Sequence, residues 1–434
     1  MLKLIKKIFA FVDDRKKVLD PIVAVLLAFV PFLQHYIGIV DNAGSTLMAL
    51  LVPYLGLRVL PTLRTLKLRS FALISGLILF FLYKLVDHGT YFVEIAQVGL
   101  MIFYIVCAMQ HCIDTKMLKK AAICIAALAG LLLIAQYFCY FVLGFHLQLV
   151  PTPLLLEESE QWILLAQTGT HSITGVQGDL YRPSAFFLEP SHLFMYGFPC
   201  LFISLFAHEN RKHNRIAALL ITVGLVLSTS GMGILVAAGA WGLYQGLRNK
   251  EGNDFRLKYI PCKEMVFRVC ALLALYAVLF MTVPFINEGI SRIFISEAGT
   301  STAIDGRTEL AIRTLRKIES TSVIQKLFGS SDTLEGITHN MPGYMATVYK
   351  YGFIGIILSY SFYAIGLFKL NMAYFWLSAI LILTSFFSAH THGTFFMLFY
   401  VLLLVEGHRS SGESWLLAEL KFLFNTLFKK RTTK

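Results

Sequence analysis

The segment Tyr181-Arg182-Pro183-Ser184-Ala185-Phe186-Phe187-Leu188-Glu189-Pro190-Ser191-His192 places a guanidinium, a carboxylate and an imidazole within a short, otherwise apolar stretch. Proline suits the first position of a helix, because the N–H it lacks would be unbonded there anyway. A helix opening at Pro183 would aim free backbone N–H groups and its positive dipole end past Arg182, which outlines an anion site. The competing reading is a cation at a helix end that reaches for lipid headgroups. Glu189 lies seven residues on, two turns deeper in such a helix, where a carboxylate needs a partner or a proton. Positions 182 and 189 share one face of a regular helix, so a structural Arg182–Glu189 link competes with catalysis, although Pro190 can break that regularity. His192 is expected to be a packed residue satisfied by a neighbour.

Two further clusters carry charge. Asp305-Gly306-Arg307-Thr308-Glu309 is followed by Arg313 and Arg316. Glu309 and Arg313 are spaced as an i,i+4 pair, which engages Arg313 within its own helix, whereas Arg307 has less local competition. Thr338-His339-Asn340-Met341-Pro342 stands just before another apolar run. A histidine beside cations is pushed toward its neutral form, which suits a general base; the plainer reading is a helix-capping region. Trp162, near Glu157, Glu158 and Glu160, either stacks on a sugar or anchors in headgroups. His390 and His392 form a metal pair by composition only, with no supporting ligands at a recognised spacing, so no metal site is expected. No phosphate-binding glycine loop or serine-nucleophile elbow stands in its required context.

The elements that must hold these residues are membrane helices. Of 434 residues, 56% are hydrophobic and 15% charged, and the mean hydropathy is +0.67; soluble chains carry roughly 45–50% and about 25%. The expected fold class is an all-α polytopic membrane protein with spans near 20–40, 43–60, 70–87, 90–110, 119–144, 184–207, 215–230, 232–247, 266–287, 343–368, 373–389 and 394–407. The pair flanking Ser228-Thr229-Ser230-Gly231 is short, with a very tight turn between its members. On these spans 29 of the 38 Lys and Arg residues fall on one side. That bias puts both termini in the cytoplasm, and the net charge of +12 then answers to headgroups rather than nucleic acid.

Three regions follow: a basic amphipathic segment over 1–17, one membrane domain over 18–410, and an amphipathic basic tail over 411–434. The outer loops 146–182 and 288–340 are long enough to be functional, and Gly306 to Leu327 within the second has the pattern of an amphipathic helix on the membrane surface. Seven cysteines, none in these loops, argue against a disulfide framework.

The order of Arg182-Pro183-Ser184-Ala185-Phe186-Phe187-Leu188-Glu189-Pro190-Ser191-His192, then Gly306-Arg307 opening a helix that ends in Leu327-Phe328-Gly329, then His339-Asn340 before Tyr351-Gly352-Phe353-Ile354-Gly355, resembles the O-antigen polymerase and ligase superfamily. The resemblance spans about residues 181–355 in motif and the whole chain in topology. It implies an enzyme without cofactor that uses an undecaprenyl-diphosphate-linked glycan as donor and another as acceptor in the lipid bilayer, with a chain-length regulator and a flippase as candidate companions. It further implies that Arg182 and Arg307 hold the diphosphate and that His339 helps activate the acceptor hydroxyl. Glu189 is the second candidate for catalysis, and Asn340 and Trp162 are candidates for binding substrate. Ser228 to Gly233 stands where many relatives carry a Ser-Arg pair, and no Trp follows Arg307 closely, which leaves Arg313 as a candidate replacement contact. The rivals are a ligase of the same chemistry and, in another class, a transporter or flippase. A transporter would be expected to show related halves and a mid-depth polar site, neither of which is visible.

Overall fold

A computed structural model of the chain describes residues 2–39, 41–65, 92–156, 160–172, 179–206, 211–249, 255–257, 303–329, 343–364, 372–387 and 393–410. The fold is all-α. The helices are α1 (Leu2–Leu33), α2 (Ala43–Val59), α3 (Phe92–Met109), α4 (Thr115–Phe141), α5 (Glu160–Thr168), α6 (Pro190–Phe206), α7 (Arg211–Leu227), α8 (Gly231–Gly246), α9 (Ala303–Glu319), α10 (Val323–Phe328), α11 (Gly343–Ala364), α12 (Met372–Phe387) and α13 (Thr394–Ser410). The strands among the described residues form two short antiparallel hairpins, β1 (Thr170–Ser172) with β2 (Asp179–Tyr181) and β3 (Leu247–Asn249) with β4 (Phe255–Leu257).

Helix α4 shows why this sequence makes such elements. The Asp114 side chain caps it by accepting from the Met117 N–H, and an Ala- and Leu-rich run with no internal proline propagates it. Leu118, Ala122, Ala126, Ala129 and Leu133 are buried on one face, while Leu131 (51% exposed), Phe138 (54%) and Phe141 (67%) remain open on another. A helix that is apolar on its uncovered face suits lipid rather than water. Helices α4 and α7 pack backbone against backbone where two glycines meet. A Cβ on Gly224 would lie 2.8 Å from the Gly130 Cα, and one on Gly130 would collide with the Leu220 carbonyl. Small residues at a crossing are a common way for apolar helices to approach closely.

Helix α6 is the hub. All its residues except Ser191 are buried, and it packs against α4, α7, α8, α12 and α13. Tyr196 stacks on Phe399 of α13 at 4.7 Å and donates to the Ala28 carbonyl of α1 at 2.8 Å; Tyr400 donates to the Met195 carbonyl at 3.0 Å. The hydroxyls of Tyr196 and Tyr400 thus close onto backbone oxygens rather than remain unsatisfied.

The bundle has two distinct ends. Asp20 of α1, Arg58 of α2, Thr115 of α4 and Glu406 of α13 gather at one, the basic end. His35 after α1, Tyr181, His192 of α6 and Phe396 of α13 meet at the other, together with the C-terminus of α7 through the Tyr137–Leu227 hydrogen bond. Helices α2 and α3 both run toward the basic end; residues 66–91 between them lie outside the described residues.

Two stretches, Ala43–Thr62 and Thr115–Phe141, are long and apolar enough to cross a membrane by themselves. Helices α6, α12 and α13 are shorter apolar elements near other expected spans. The expected spans 70–87 and 266–287 lie outside the described residues, as does the tail from 411. Several boundaries differ from expectation. Helix α1 continues without a break from the basic segment 1–17 into the first apolar run, supported by the Lys16–Asp13 and Arg58–Asp20 pairs at 2.8 and 2.9 Å, and it ends at Leu33. The outer-loop helix expected over 306–327 is two helices, α9 and α10. Ser322 caps α10 in a reciprocal capping box with Gln325 and thereby ends the preceding turn.

Helix α10 leans on α11. Gly352 interrupts α11 with φ 66°, a conformation that disfavours any side chain, and a Cβ there would collide with the Leu327 carbonyl. The Leu327-Phe328-Gly329 and Tyr351-Gly352-Phe353 motifs, separate in sequence, are thus one contact.

Candidate functional site

The helix expected to open at Pro183 opens at Pro190 instead. Residues 182–189 form a buried non-helical approach to α6, so Glu189 sits at the mouth of the helix rather than two turns inside it. The approach is held by tertiary bonds. The Ala185 N–H donates to Gln136 Oε1 of α4 at 3.0 Å, with Ala185 at φ 54°, and Ser184 Oγ donates to the Phe187 carbonyl at 2.6 Å. Gln136 is itself buried, and its Nε2 donates to the Leu147 carbonyl at 2.9 Å. These bonds take the place of some of those the missing helix would have made.

Tyr181 anchors the start of the approach. Its ring stacks on Tyr140 at 3.8 Å and meets Tyr137 edge-on at 5.3 Å. Its hydroxyl donates to the Gln136 carbonyl at 3.2 Å and lies 3.0 Å from His146 Nδ1. Burial lowers the pKa of His146, opposed by a hydrogen bond with the Ala166 backbone. The β1–β2 hairpin presents the next residue, and the Arg182 N–H donates to the Gly169 carbonyl at 2.6 Å.

Arg182 is therefore fixed by backbone on one side, and its Nε donates to Thr229 Oγ1 at 3.2 Å. Thr229 lies at φ 54° in the tight turn between α7 and α8. Among the described residues no protein group accepts a hydrogen bond from the two terminal amino groups of Arg182. Burial lowers its pKa, with the charges of Glu189 and Tyr137 opposing the shift, yet a guanidinium stays protonated throughout. The result is a fork held by its stem with its donors open, the geometry that binds phosphate oxygens bidentately.

Glu189 does not form the expected direct pair with Arg182. Its Oε1 accepts from Ser191 Oγ and lies 3.5 Å from His192 Nε2. The Glu189 carbonyl accepts the first bonds of α6 from the N–H groups of His192 and Leu193, at 3.1 and 3.3 Å. His192 is buried, as expected, and stacks on His35 at 4.2 Å. A carboxylate at a helix N-terminus is favoured by the helix dipole, so the local structure supplies what its burial costs.

The remaining candidates are further along the chain. Arg313 is exposed on α9 and paired with Glu309 at 2.5 Å, so its guanidinium is engaged within its own helix. Arg307 lies in the second turn of α9 rather than at its opening, because α9 begins at Ala303; its side chain is outside the described residues. Trp162 belongs to the short helix α5, and its side chain is likewise not described. His339 and Asn340 lie outside the described residues, as do His390 and His392. Among the described residues no group of three His, Cys, Asp or Glu side chains converges as metal ligands.

Gln136, Thr229 and His35 entered this site without having been singled out for it. Gln136 could have been found as an amide in the middle of an apolar run, where a polar side chain needs a reason. Compared with known families and characterised proteins, the sequence matches no family model and no characterised protein.

Proposed function

We propose that this protein is a membrane glycosyltransferase of about twelve spans that polymerises undecaprenyl-diphosphate-linked oligosaccharides at the outer face of a bacterial plasma membrane. The observation that carries the reading is the open fork of Arg182, held by Thr229 at the end of the bundle opposite the basic end. The resemblance of the 181–355 motifs supports it, as do the apolar faces that α4 leaves uncovered. The charge bias places the basic end in the cytoplasm, and hence Arg182 outside.

In this chemistry the acceptor hydroxyl oxygen attacks the anomeric carbon of the donor sugar, and the bond from that carbon to the diphosphate oxygen breaks. The diphosphate departs with the electron pair, and its growing negative charge is met by Arg182 and Arg307 without a metal. The hydroxyl proton passes to His339 and then to water, with Asn340 orienting the acceptor. Glu189 shapes the field beside Arg182 and is the second candidate for the base; Arg313 and Trp162 contact the glycan at the rim. The lipid tail stays in the bilayer while the glycan reaches the outer loops.

The test is the surface glycan of a deletion strain. A single repeat unit left attached is the expected outcome for a polymerase. Complete loss of the attached glycan would favour a ligase or a flippase, and an unaltered glycan would remove the protein from this route.

A further inference from the structure

The basic end of the bundle contains a cavity of about 760 Å3 between α1, α2, the N-terminus of α4 and the C-terminal part of α13. We infer that it binds the phosphate group of an anionic phospholipid. The inference rests on the membrane reading above and not on the transferase reading.

The acids around the cavity are already engaged. Asp20 accepts from the Tyr54 hydroxyl at 2.5 Å and from Arg58 Nη2 at 2.9 Å. Asp114 is consumed in capping α4. Glu406, fully buried, accepts from Thr115 Oγ1 at 2.6 Å and has Lys119 Nζ at 3.7 Å. Lys16 is paired with Asp13 at 2.8 Å. Two lining cations, Lys17 of α1 and Lys116 in the first turn of α4, have no acidic partner among the described residues. Lys116 also stands where α4 directs the positive end of its dipole. In the lining Lys16, Lys17, Arg58 and Lys116 outnumber Asp20, Asp114 and Glu406, so the cavity presents net positive charge to whatever enters, and Lys17 and Lys116 are the cations left to donate to a phosphate.

A lipid is favoured over a dissolved anion by what flanks the cavity. Val18 and Ile22, one turn apart on α1 and next to the lining residues Lys17 and Pro21, are 59% and 48% exposed. Leu60, just past the end of α2, is exposed as well. An amphiphile matches this combination, with its headgroup among the lysines and its acyl chains along the apolar surface.

The experiment uses the full-length protein in nanodiscs of equal parts phosphatidylglycerol and phosphatidylcholine, with retained lipids counted by native mass spectrometry and no sugar substrate present. The wild type should retain phosphatidylglycerol in preference to phosphatidylcholine. Lys17→Glu combined with Lys116→Glu should weaken that preference by about tenfold or more. Lys120→Glu, an exposed cation on the same helix outside the cavity lining, should leave it unchanged. If the reversal pair fails to fold, Lys17→Gln with Lys116→Gln provides the same comparison with a smaller drop. Unaltered retention in the paired variant, or an equal loss in Lys120→Glu, would overturn the site. Displacement of the retained lipid by millimolar inorganic phosphate would overturn the lipid assignment in favour of a soluble anion. Since no glycan is present, none of these outcomes bears on the transferase proposal.

Discussion

Arg58 at one end of the bundle and Arg182 at the other are both part-buried arginines influenced by a carboxylate. Arg58 spends its donors on Asp20 at 2.9 and 3.4 Å, inside a network that also includes Tyr54. Among the described residues Arg182 commits only its Nε, to the hydroxyl of Thr229, and feels Glu189 without bonding to it. The same side chain serves as a structural strut in the first case and as an unfilled donor in the second. Clustered charge is thus a poor marker of a site in this fold, and the state of pairing is a better one. The basic end holds more cations, of which Lys16, Arg58 and Lys119 are answered by acids of the protein.

The sharpest way to break this comparison is to ask which end faces out. In a background freed of native cysteines, Ser301→Cys should react with an impermeant thiol reagent in intact cells and Asn249→Cys should not. The reverse pattern would place the Arg182 end in the cytoplasm. Next in size is His339, since removing a general base costs roughly 10²–10⁴-fold. His339→Ala should abolish most polymer while lipid-linked substrate still binds. Near-normal turnover in His339→Gln would reduce the residue to an orienting role.

Arg182→Ala follows. Charge-assisted hydrogen bonds are worth ~1.5–3 kcal/mol each, so turnover should fall about tenfold to a hundredfold with little change in melting temperature. Arg182→Lys should rescue it only in part, because the ammonium lacks the fork. Asp20→Asn is the matching change at the other end. It should cost on the order of 2 kcal/mol in stability, read as a lower melting temperature in detergent, and leave turnover per folded molecule intact. An activity loss in Asp20→Asn, or a stability loss in Arg182→Ala, would dissolve the distinction between strut and open donor.

The smallest expected effect is a pH dependence at the Tyr181 anchor. Burial holds His146 neutral, with its pKa below the ordinary histidine value. As the pH falls below about 6.5 the unfolded chain takes up the proton first. Stability from this group is therefore complete above that pH and declines below it until the folded imidazole protonates too. His146→Gln should flatten the melting-temperature profile between about pH 7 and 5.

How far the sequence anticipates this site is clearest at its two prolines. Both Pro183 and Pro190 satisfy the rule for the first residue of a helix, and local spacing does not choose between them. The choice is made by Gln136, forty-nine positions from Ala185, which captures the backbone between the prolines and postpones the helix. A tertiary bond of that span leaves no periodic trace. The Glu309–Arg313 pair, by contrast, was legible because its partners are one helical turn apart. Long apolar runs gave most of the described helices to within a few residues. The break between α9 and α10 rests on a Ser322–Gln325 capping box, a local signal that the amphipathic pattern on either side does not carry. The positive φ of Gly352 answers to the close approach of the Leu327 carbonyl, which no local spacing announces.

The central claim, that this bundle joins lipid-linked repeat units through the diphosphate contact at Arg182, is tested most directly with the purified full-length protein in nanodiscs. An undecaprenyl-diphosphate-linked repeat unit should be the sole glycan, serving as both donor and acceptor. The account predicts a ladder of polymers on lipid, with release of undecaprenyl diphosphate in step with each bond formed and a rate about tenfold to a hundredfold lower in Arg182→Ala. Undecaprenyl diphosphate release at the wild-type rate from Arg182→Ala, or no polymer from wild-type protein that binds the repeat unit, would contradict it.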